Sequence, residues 1–432
     1  MGTYQIPTEV PMSIGAKGDA FKDLPVRKII QDNAEIGKDT RVGHSGQSPL
    51  RSPLSTLHSS CYDSCMKIAI DARMMGAQNT RGIGRYTEEI IRAMLTQLPA
   101  EHRLILLERH PESSPFTHPS VSHLKADIPW YGFAEQWRMP SIIQKSGADL
   151  LFVPHWNISW FCKIPRITCI HDLILLEEPN SAHASTRGFF TRWIKRLGHR
   201  LILHRALTTS RSILVPTEYT KSRIKHFYPN IKTPIIVTGE GMPTLREEIW
   251  QDANQEHPYL LMVGSAYPHK NHQAILSPWK KIRSEYPNLE LHIVGEKDVF
   301  MKRLMDTVSH ERLDGIRFLG KVSDEALKDE YTQALALVFP SRHEGFGLPP
   351  LEALAYGIPV IAARASCLPE VLGERGATFF NPSDRDAIIQ SIRDLLEDPG
   401  GARESARNGA RQLAKTHQWN KAGERTLKAF FQ

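Results

Sequence analysis

Short apolar runs alternate with helical segments twice along this chain, and this alternation limits the fold more than any other feature. Each run has the length of a buried strand, and the segments between the runs repeat their apolar residues at helical spacing. Parallel strands need long crossover connections, so the pattern predicts parallel sheets covered by helices. The first series comprises 67–71, 103–107, 149–153, 167–170 and 212–215. The second comprises 259–263, 289–294, 315–319, 335–339 and 358–362. The sequence therefore predicts an α/β protein with two Rossmann-like, doubly wound domains and a ligand cleft between them.

The two series also predict the domain boundaries. We expect a first domain at 66–245 and a second at 246–416, with a helix over 417–432 packing back on the first. Residues 1–65 are rich in Gly, Ser, Pro and Asp and lack sustained apolar periodicity, which predicts a disordered extension. A start codon assigned too early, with the native protein beginning at Met66, is an alternative explanation of this segment.

Composition and charge limit the binding partners and the cellular compartment that the sequence predicts. The formal net charge is +7 and the pI is about 9.1, which suits nucleic acid, an anionic membrane or a phosphorylated small molecule as partner. Five cysteines spread over 432 residues indicate reduced thiols. No apolar run approaches the ~20 residues of a membrane-spanning helix, and the N-terminus lacks the pattern of a signal peptide. We therefore expect a soluble, cytoplasmic protein.

The segment 343–357 carries the clearest chemical signal. It follows the strand at 335–339 and leads into a helix, because Pro349 and Pro350 suit the first helical positions and Gly357 suits the C-terminal cap. The loop before the helix holds two glycines and directs unpaired N–H groups and a positive helix end toward the cleft. Such an end is an anion site, which predicts that a phosphate binds here.

Two carboxylates flank this predicted phosphate site. We expect Glu344 in the loop and Glu352 in the first turn of the helix that follows it. A carboxylate beside a phosphate is unfavourable unless it accepts hydrogen bonds from neutral hydroxyls, so the pair suggests a ligand with sugar and ribose hydroxyls. The alternative is that Glu352 only complements the helix dipole and that Glu344 is solvated.

A lysine follows the first strand of the second series. Lys270 lies between the strand at 259–263 and the next helix, where it would reach a phosphate as a point charge on a flexible stem. A solvated lysine near a helix start is the alternative.

Two glycines in the first domain let a ligand approach the backbone closely. Gly82 and Gly84 follow the strand that ends near Asp71 and Arg73, and precede the first helix. A dinucleotide-binding fingerprint needs a further glycine where Thr87 stands, so a nicotinamide-dependent oxidoreductase is a weak alternative.

Taken in order, these segments resemble glycosyltransferase family 4, whose members are retaining enzymes of the GT-B fold. The spacing Glu344-x7-Glu352 resembles the Glu-x7-Glu motif of that family. The flanking segments that strengthen the resemblance are Ser341 to Gly347, Gly357 to Val360, Pro268 to Asn271 and Gly320 to Val322. The resemblance covers about 66–432, and its mannosyltransferase-like branch fits best.

The resemblance implies a role for each matching position. Glu352 would hold the ribose hydroxyls of a nucleotide-sugar donor, and Glu344 would lie beside the transferred sugar. Lys270 would carry the diphosphate, and His171 would touch the donor sugar, although a capped loop histidine is the simpler alternative. The other implied donor-binding positions are the amides of Phe346, Gly347 and Leu348, the glycines Gly82 and Gly84, and Ser265 and Val322.

One position departs from the family pattern. Many members carry an arginine where Ser265 stands, so phosphate binding would depend more on Lys270 here. Branches that lack this arginine include many mannosyltransferases, so the departure does not exclude activity.

The implied mechanism needs neither a metal nor another cofactor. The only Asp-x-Asp sequence, Asp384 to Asp386, follows Asn381-Pro382-Ser383 and opens a helix, so it is interpreted as a helix cap. The first domain offers no obvious carboxylate nucleophile. We therefore favour displacement on one face of the sugar, with the leaving phosphate accepting the proton of the acceptor. Retention of configuration comes from the resemblance.

The acceptor is suggested by one basic helix. Residues 186–207 hold basic residues and no acid, with Phe190, Trp193, Ile194, Leu197 and Leu201 on one face. Such a helix suits the inner surface of an anionic membrane and a lipid-linked saccharide acceptor; burial of that face in the first domain is the alternative. No motif for nucleic-acid binding accompanies it.

The sequence thus predicts a hexosyltransferase of polysaccharide assembly that uses a nucleotide diphosphate sugar, with GDP-mannose favoured. A catalytically idle sugar-nucleotide sensor or scaffold of the same fold is the alternative.

Overall fold

The structure, a computed structural model, describes residues 65–76, 81–179, 189–252 and 256–432. Apart from Cys65, the predicted extension 1–65 lies outside these residues. Residues 63–432 form one compact unit.

The first domain is built on a seven-stranded parallel sheet in the order β3-β2-β1-β4-β5-β6-β7. Strand β1 is the third in this order, with Ile68 opposite both Leu104 of β2 and Leu150 of β4. The strands are β1 (Lys67–Asp71), β2 (Arg103–Glu108), β3 (Val121–Lys125), β4 (Leu150–Val153), β5 (Arg166–Cys169), β6 (Ser212–Val215) and β7 (Ile235–Val237).

The second domain is built on a six-stranded parallel sheet in the order β10-β9-β8-β11-β12-β13. Here Leu261 of β8 lies opposite both His292 of β9 and Leu337 of β11. The strands are β8 (Tyr259–Val263), β9 (Glu290–Val294), β10 (Ile316–Gly320), β11 (Ala336–Phe339), β12 (Val360–Ala363) and β13 (Thr378–Phe380).

Helices connect the strands in both domains. Those of the first half of the chain are α1 (Arg81–Leu95), α2 (Phe133–Ser146), α3 (Ile174–Glu177), α4 (Phe189–Thr209) and α5 (Glu218–Phe227). The second half has α6 (Gln273–Leu276), α7 (Trp279–Glu285), α8 (Val299–His310), α9 (Asp324–Gln333), α10 (Leu348–Ala355), α11 (Leu368–Gly376), α12 (Arg385–Glu397), α13 (Pro399–Thr416) and α14 (Trp419–Phe431). Within the described part of the chain, none of the helices has the length and apolar character needed to cross a membrane.

The strand orders place the ligand site. The order reverses between β1 and β4 in the first sheet and between β8 and β11 in the second. Helices diverge at such a switch point and leave a crevice beyond the carboxyl ends of the strands. The two-domain, Rossmann-like α/β fold predicted from the apolar runs is confirmed.

Helix α14 packs on the first domain although it follows the second in sequence. Its Phe430 is fully buried against Phe152 of β4, with ring centroids 5.2 Å apart. A methyl group on Gly423 would lie 2.9 Å from the Ala93 side chain of α1, so the glycine permits close helix contact. The first-domain core therefore includes residues from both ends of the described chain.

Two features differ from the sequence expectations. Strands β3, β7 and β13 were not predicted, because each is an edge strand that is short or only partly buried. Helix α1 begins at Arg81, so Gly82 and Gly84 lie within its first turn and not before it. The correction brings both glycines to the amino end of α1.

Candidate active site

The loop after β11 ends at the amino end of α10. Gly347 caps this helix with a φ of 93°, a left-handed conformation that favours glycine, and Leu348 is the first helical residue. The helix therefore begins one residue before the expected Pro349. Pro349 and Pro350 of the first turn have no N–H, so the backbone donors at this end are those of Leu348, of the cap residue Gly347 and of Phe346 before it.

Lys270 and Glu344 form an ion pair at the ends of neighbouring strands. Lys270 closes a 3-10 turn, Pro268–Lys270, beyond β8, and its Nζ lies 2.6 Å from Oε1 of Glu344 beyond β11. Both side chains are largely buried, at 18% and 10% exposure. The Lys270 ammonium also lies 5.2 Å from the centroid of the Phe339 ring. The structure thus brings together a cation and a carboxylate that are 74 residues apart.

The backbone of Glu344 is fixed on both sides. Its N–H donates to Oγ of Ser366 at 3.1 Å, and its carbonyl accepts from Sγ of Cys367 at 3.3 Å. Ser366 has a φ of 51°, which is uncommon for a residue with a side chain. These contacts set the position of the carboxylate relative to Lys270.

Glu352 faces the first domain from the second turn of α10. One carboxylate oxygen pairs with Nη1 of Arg85 on α1, and the other accepts from the Tyr331 hydroxyl at 2.9 Å. Burial and the nearby Glu352 raise the pKa of Tyr331 well above its usual value, so its hydroxyl remains a donor. Glu352 is therefore held in place by one residue from each domain.

His171 is held by oxygen atoms at both ring nitrogens. Nδ1 lies 3.2 Å from Oε1 of Glu240, and Nε2 lies 2.9 Å from the carbonyl of Pro154. The edge of the ring also packs on Tyr86, with centroids 4.5 Å apart. Burial lowers the pKa of His171, but interactions with Cys169 and Glu240 outweigh it and raise the pKa well above the usual value. Both ring nitrogens thus have a partner, and contact with a donor sugar requires one of these partners to be exchanged.

The two domains meet closely at Gly345. A methyl group on Gly345 would overlap the carbonyl of His171, so only glycine fits against this backbone. The Gly345 carbonyl accepts from Oγ1 of Thr217 in the first domain at 3.1 Å. Asp172 lies beside this contact, and burial, followed by the charge of Glu344, raises its pKa although Lys270 and other groups oppose the shift. The contact brings the His171–Asp172 segment against the Glu344 loop.

The remaining predicted positions lie around these groups. Gly82 is exposed, and a methyl group there would meet no atom within 4 Å, so the space beside it is open. Ser265 follows Gly264, whose φ is 136°, at the end of β8. Val322 follows β10 and packs partly buried on the second-domain core.

Asp71 and Arg73 belong to a buried network. Nε and Nη2 of Arg73 each donate to a different Asp71 oxygen at 2.7 Å, and Nη2 also pairs with Glu135. Burial disfavours the Asp71 carboxylate, but Arg73 and His155 outweigh it and hold the pKa of Asp71 well below its usual range. This network stabilises the carboxyl end of β1 and leaves neither charge at the surface.

Sequence reasoning missed four side chains that support the site: Arg85, Tyr331, Ser366 and Cys367. Arg85 follows Gly84 directly, so the unusual glycine spacing was the available signal. The other three contact Glu352 or Glu344 from distant segments, and no local pattern indicates such contacts.

Two family models match the two domains. The model for glycosyl transferases group 1 matches residues 246–413. The model for glycosyltransferase family 4 matches residues 80–244. Together they span both parallel sheets except the first strand.

Similar proteins of known function include two bacterial mannosyltransferases. The chain is 29% identical over 283 residues to O-antigen chain mannosyltransferase B of Escherichia coli, covering 61% of this chain and 69% of that protein. It is 28% identical over 270 residues to O-antigen chain mannosyltransferase RfbU of Salmonella typhimurium, covering 62% and 71%.

Among solved structures, sucrose-phosphate synthase from Thermosynechococcus elongatus aligns with a TM-score of 0.65 at 19% identity, over 84% of this chain and 98% of that one. Anabaena HepE in complex with UDP and glucose aligns with a TM-score of 0.58 at 13% identity, over 85% and 99%. At these identities the likeness shows a shared two-domain fold.

Proposed function

The chain belongs to glycosyltransferase family 4, and we propose that it transfers mannose from GDP-mannose to a lipid-linked saccharide during polysaccharide assembly. The observation that carries this proposal is the ion pair of Lys270 with Glu344, a residue of the loop that leads into α10, the helix that holds Glu352. The choice of mannose is supported by the O-antigen mannosyltransferases among the similar proteins. The protein is a glycosyltransferase; the donor, the acceptor and the stereochemistry are our proposal.

In the proposed donor complex the nucleotide lies along α10. Glu352 accepts hydrogen bonds from the ribose hydroxyls, and the amides of Phe346, Gly347 and Leu348 bind the diphosphate. Lys270 has three N–H donors, so it can bind a phosphate oxygen and keep Glu344 as a partner. Ser265, Val322 and the first-turn glycines of α1 border the nucleotide and the sugar.

The proposed reaction retains configuration at the anomeric carbon and needs no metal or other cofactor. The bond between this carbon and the β-phosphate oxygen breaks, and the acceptor hydroxyl forms a new bond on the same face. The acceptor proton passes to the leaving phosphate oxygen. Lys270 and the α10 amides stabilise the charge that develops there, because they are positioned before the bond breaks.

In this mechanism Glu344 and His171 act on the sugar side. Glu344 lies next to Lys270. Its carboxylate can accept a hydrogen bond from a sugar hydroxyl and stabilise positive charge on the sugar ring. His171 lies at the edge of the first domain, and its carbonyl forms the close contact with Gly345.

The proposed lipid-linked acceptor brings the first domain to an anionic membrane, as a peripheral contact on its inner face. The α4 side chains that were predicted to share one face are exposed in the structure: Trp193, Ile194, Leu197 and Leu201 are 43–54% exposed. Arg196 and Arg200 lie at the border of this face on the same helix. An apolar face beside basic residues is the arrangement that binds an anionic bilayer surface. The side chain of Phe190 lies outside the described set.

The donor is tested by nucleotide release from a panel of UDP-, GDP- and ADP-sugars in the presence of EDTA. We expect slow hydrolysis of GDP-mannose by the wild-type protein. Glu344→Ala should lower this rate about a hundredfold or more, because it removes a preorganised charge beside the reacting carbon. The Glu344→Ala variant should still bind the donor, because Lys270 and the α10 amides remain. Binding would be seen as a higher melting temperature in a thermal-shift assay.

Glu285→Ala is the matched control, since it removes a carboxylate of a surface ion pair with Arg393. It should hydrolyse the donor at the wild-type rate. If the wild-type protein binds none of the sugar nucleotides, the proposal fails. Binding without hydrolysis, even with lipid-linked saccharide added, would instead support the idle sensor.

A further inference from the structure

An ion pair joins the two domains at the proposed ribose site. Arg85 belongs to α1 of the first domain, and its guanidinium pairs with Glu352 on α10 of the second. The Arg85 side chain is 43% exposed, whereas that of Glu352 is only 15% exposed. The cation therefore borders open space, and its carboxylate partner lies deeper in the site.

Neither Arg85 nor Glu352 uses all of its hydrogen-bonding capacity in this ion pair. Each carboxylate oxygen can accept two hydrogen bonds, and Glu352 accepts one from Arg85 on one oxygen and one from Tyr331 on the other. Capacity for a ribose diol remains. The guanidinium has five N–H donors, and this contact uses one of them. Arg85 is thus able to contact a further anion while Glu352 binds neutral hydroxyls.

The geometry of α10 locates that anion. Glu352 lies four residues after Leu348, so it is about 6 Å along the helix axis from the amide end. A ribose on Glu352 carries its 5′-phosphate toward that end. The phosphates would therefore lie between the α10 amides and the guanidinium that contacts Glu352.

The charge balance also calls for another cation. Lys270 is paired with Glu344 at 2.6 Å, so it is already partly neutralised when the donor arrives. A nucleoside diphosphate brings at least two negative charges. The amide end of a helix supplies only about half an elementary charge. Arg85 is a cation on the facing wall, and its planar fork matches phosphate geometry.

We propose that Arg85 is a donor-binding residue, which pairs with Glu352 and binds the diphosphate of the donor when it enters. The first domain thus contributes a charge to a nucleotide held mainly by the second. This inference rests on the proposed function, because it takes Glu352 as the ribose site.

The test compares two ligands that differ only in their phosphates. Guanosine and GDP are titrated by calorimetry into the wild-type protein and Arg85→Ala, with the weaker ligand measured by displacement. We expect the Kd for GDP to rise about tenfold or more, because a charge-assisted bond to phosphate is lost. The Kd for guanosine should change less than about twofold, and Arg85→Lys should recover part of the GDP affinity.

Arg92→Ala is the matched control. Arg92 also lies on α1, pairs with Glu88 of the same helix, and has a side chain that is 54% exposed. It should bind GDP as the wild-type protein does.

Three results would overturn the inference and leave the proposed function intact. An equal loss of guanosine and GDP affinity would mean that Arg85 acts only through Glu352. Tighter GDP binding by Arg85→Ala would mean that the ion pair blocks the site. Unchanged GDP affinity would mean that Arg85 does not reach the phosphates. If the wild-type protein binds neither GDP nor another nucleoside diphosphate, the proposed function fails and this inference with it.

Discussion

Glu344 illustrates how a carboxylate of the candidate site is positioned through its backbone. Its N–H and carbonyl are bound by Ser366 and Cys367, two residues at the start of α11. Burial, followed by the charge of Glu344, raises the pKa of Cys367 well above its usual value, so the thiol keeps its proton and remains a donor. These two bonds restrict movement of the Glu344 backbone. The carboxylate therefore keeps its position, where it can pair with Lys270 and bind a ligand.

Ser366→Ala tests this positioning. The change leaves the Glu344 N–H without an acceptor, which costs about 1–3 kcal/mol where water cannot replace it. We expect kcat for donor hydrolysis to fall about tenfold and the KM for donor to change less than about twofold. Ser383→Ala, at an exposed loop serine, should leave both constants unchanged. A fall in stability with wild-type kcat would contradict a positioning role.

The sequence predicted part of this site and could not predict the rest. Lys270, Glu344 and Glu352 were identified because each follows a predicted strand or opens a helix at a recognisable spacing. Their partners were not, because Arg85 and Glu352 are 267 residues apart and meet only when both sheets are formed. Likewise, the oxygen partners of His171 come from separate loops.

At the scale of elements, helix α5 takes part of its cap from the other domain. The N–H groups of Glu218 and Tyr219 donate to the carboxylate of Glu370 on α11 at 2.7 and 2.8 Å. The N–H of Thr220 donates to the N-cap Thr217 at 3.1 Å. The first-turn donors are therefore satisfied only when the two domains are together.

Glu370→Ala should loosen the first turn of α5. Loss of a capping carboxylate costs about 1 kcal/mol, which corresponds to about fivefold faster exchange of the Glu218 and Tyr219 amides. Hydrogen exchange on this segment measures the effect. Glu374→Ala removes another carboxylate of α11, which pairs with Arg364 in the same domain, and should leave α5 unchanged. Equal exchange rates of the Glu218 and Tyr219 amides in the two variants would show that the Glu370 carboxylate does not stabilise the first turn of α5.

Elements differed in how well the sequence predicted them. Central strands such as β4 and β11 are buried along their whole length, so they form continuous apolar runs. Edge strand β3 exposes Ser122 and His123, and its run is broken by these polar residues. Helix α1 extends to Arg81 although two glycines lower its helix propensity, because its apolar face is buried in the first-domain core.

At the scale of the whole molecule, the exposed large apolar side chains of the described residues lie in one domain. Among the described residues, the large hydrophobic side chains with high exposure all lie between Tyr131 and Leu201. Phe133 and Trp137 on α2 are 91% and 70% exposed, in addition to the α4 face. The asymmetry supports the first domain as the side that meets a membrane.

Removing the basic residues of α4 should weaken binding to anionic vesicles. Each cation near such a surface contributes about 1 kcal/mol, so Arg196→Gln with Arg200→Gln should lower the partition coefficient about 30-fold. Flotation with phosphatidylcholine vesicles, with and without phosphatidylglycerol, measures it. Lys280→Gln with Lys281→Gln removes the same charge from exposed positions on α7 and should have little effect. Equal losses in the two pairs, or binding that does not depend on phosphatidylglycerol, would contradict the proposed surface.

The packing of α14 on α1 sets the order in which the two domains mature during synthesis. The ribosome makes α14 only after the entire second domain, although Phe430 completes the first-domain core. At about 5–20 residues per second, nearly 190 residues separate the first domain from this helix by about 10–40 s. The first domain therefore leaves the ribosome first but completes its core last. That core stays accessible to chaperones while the second domain folds.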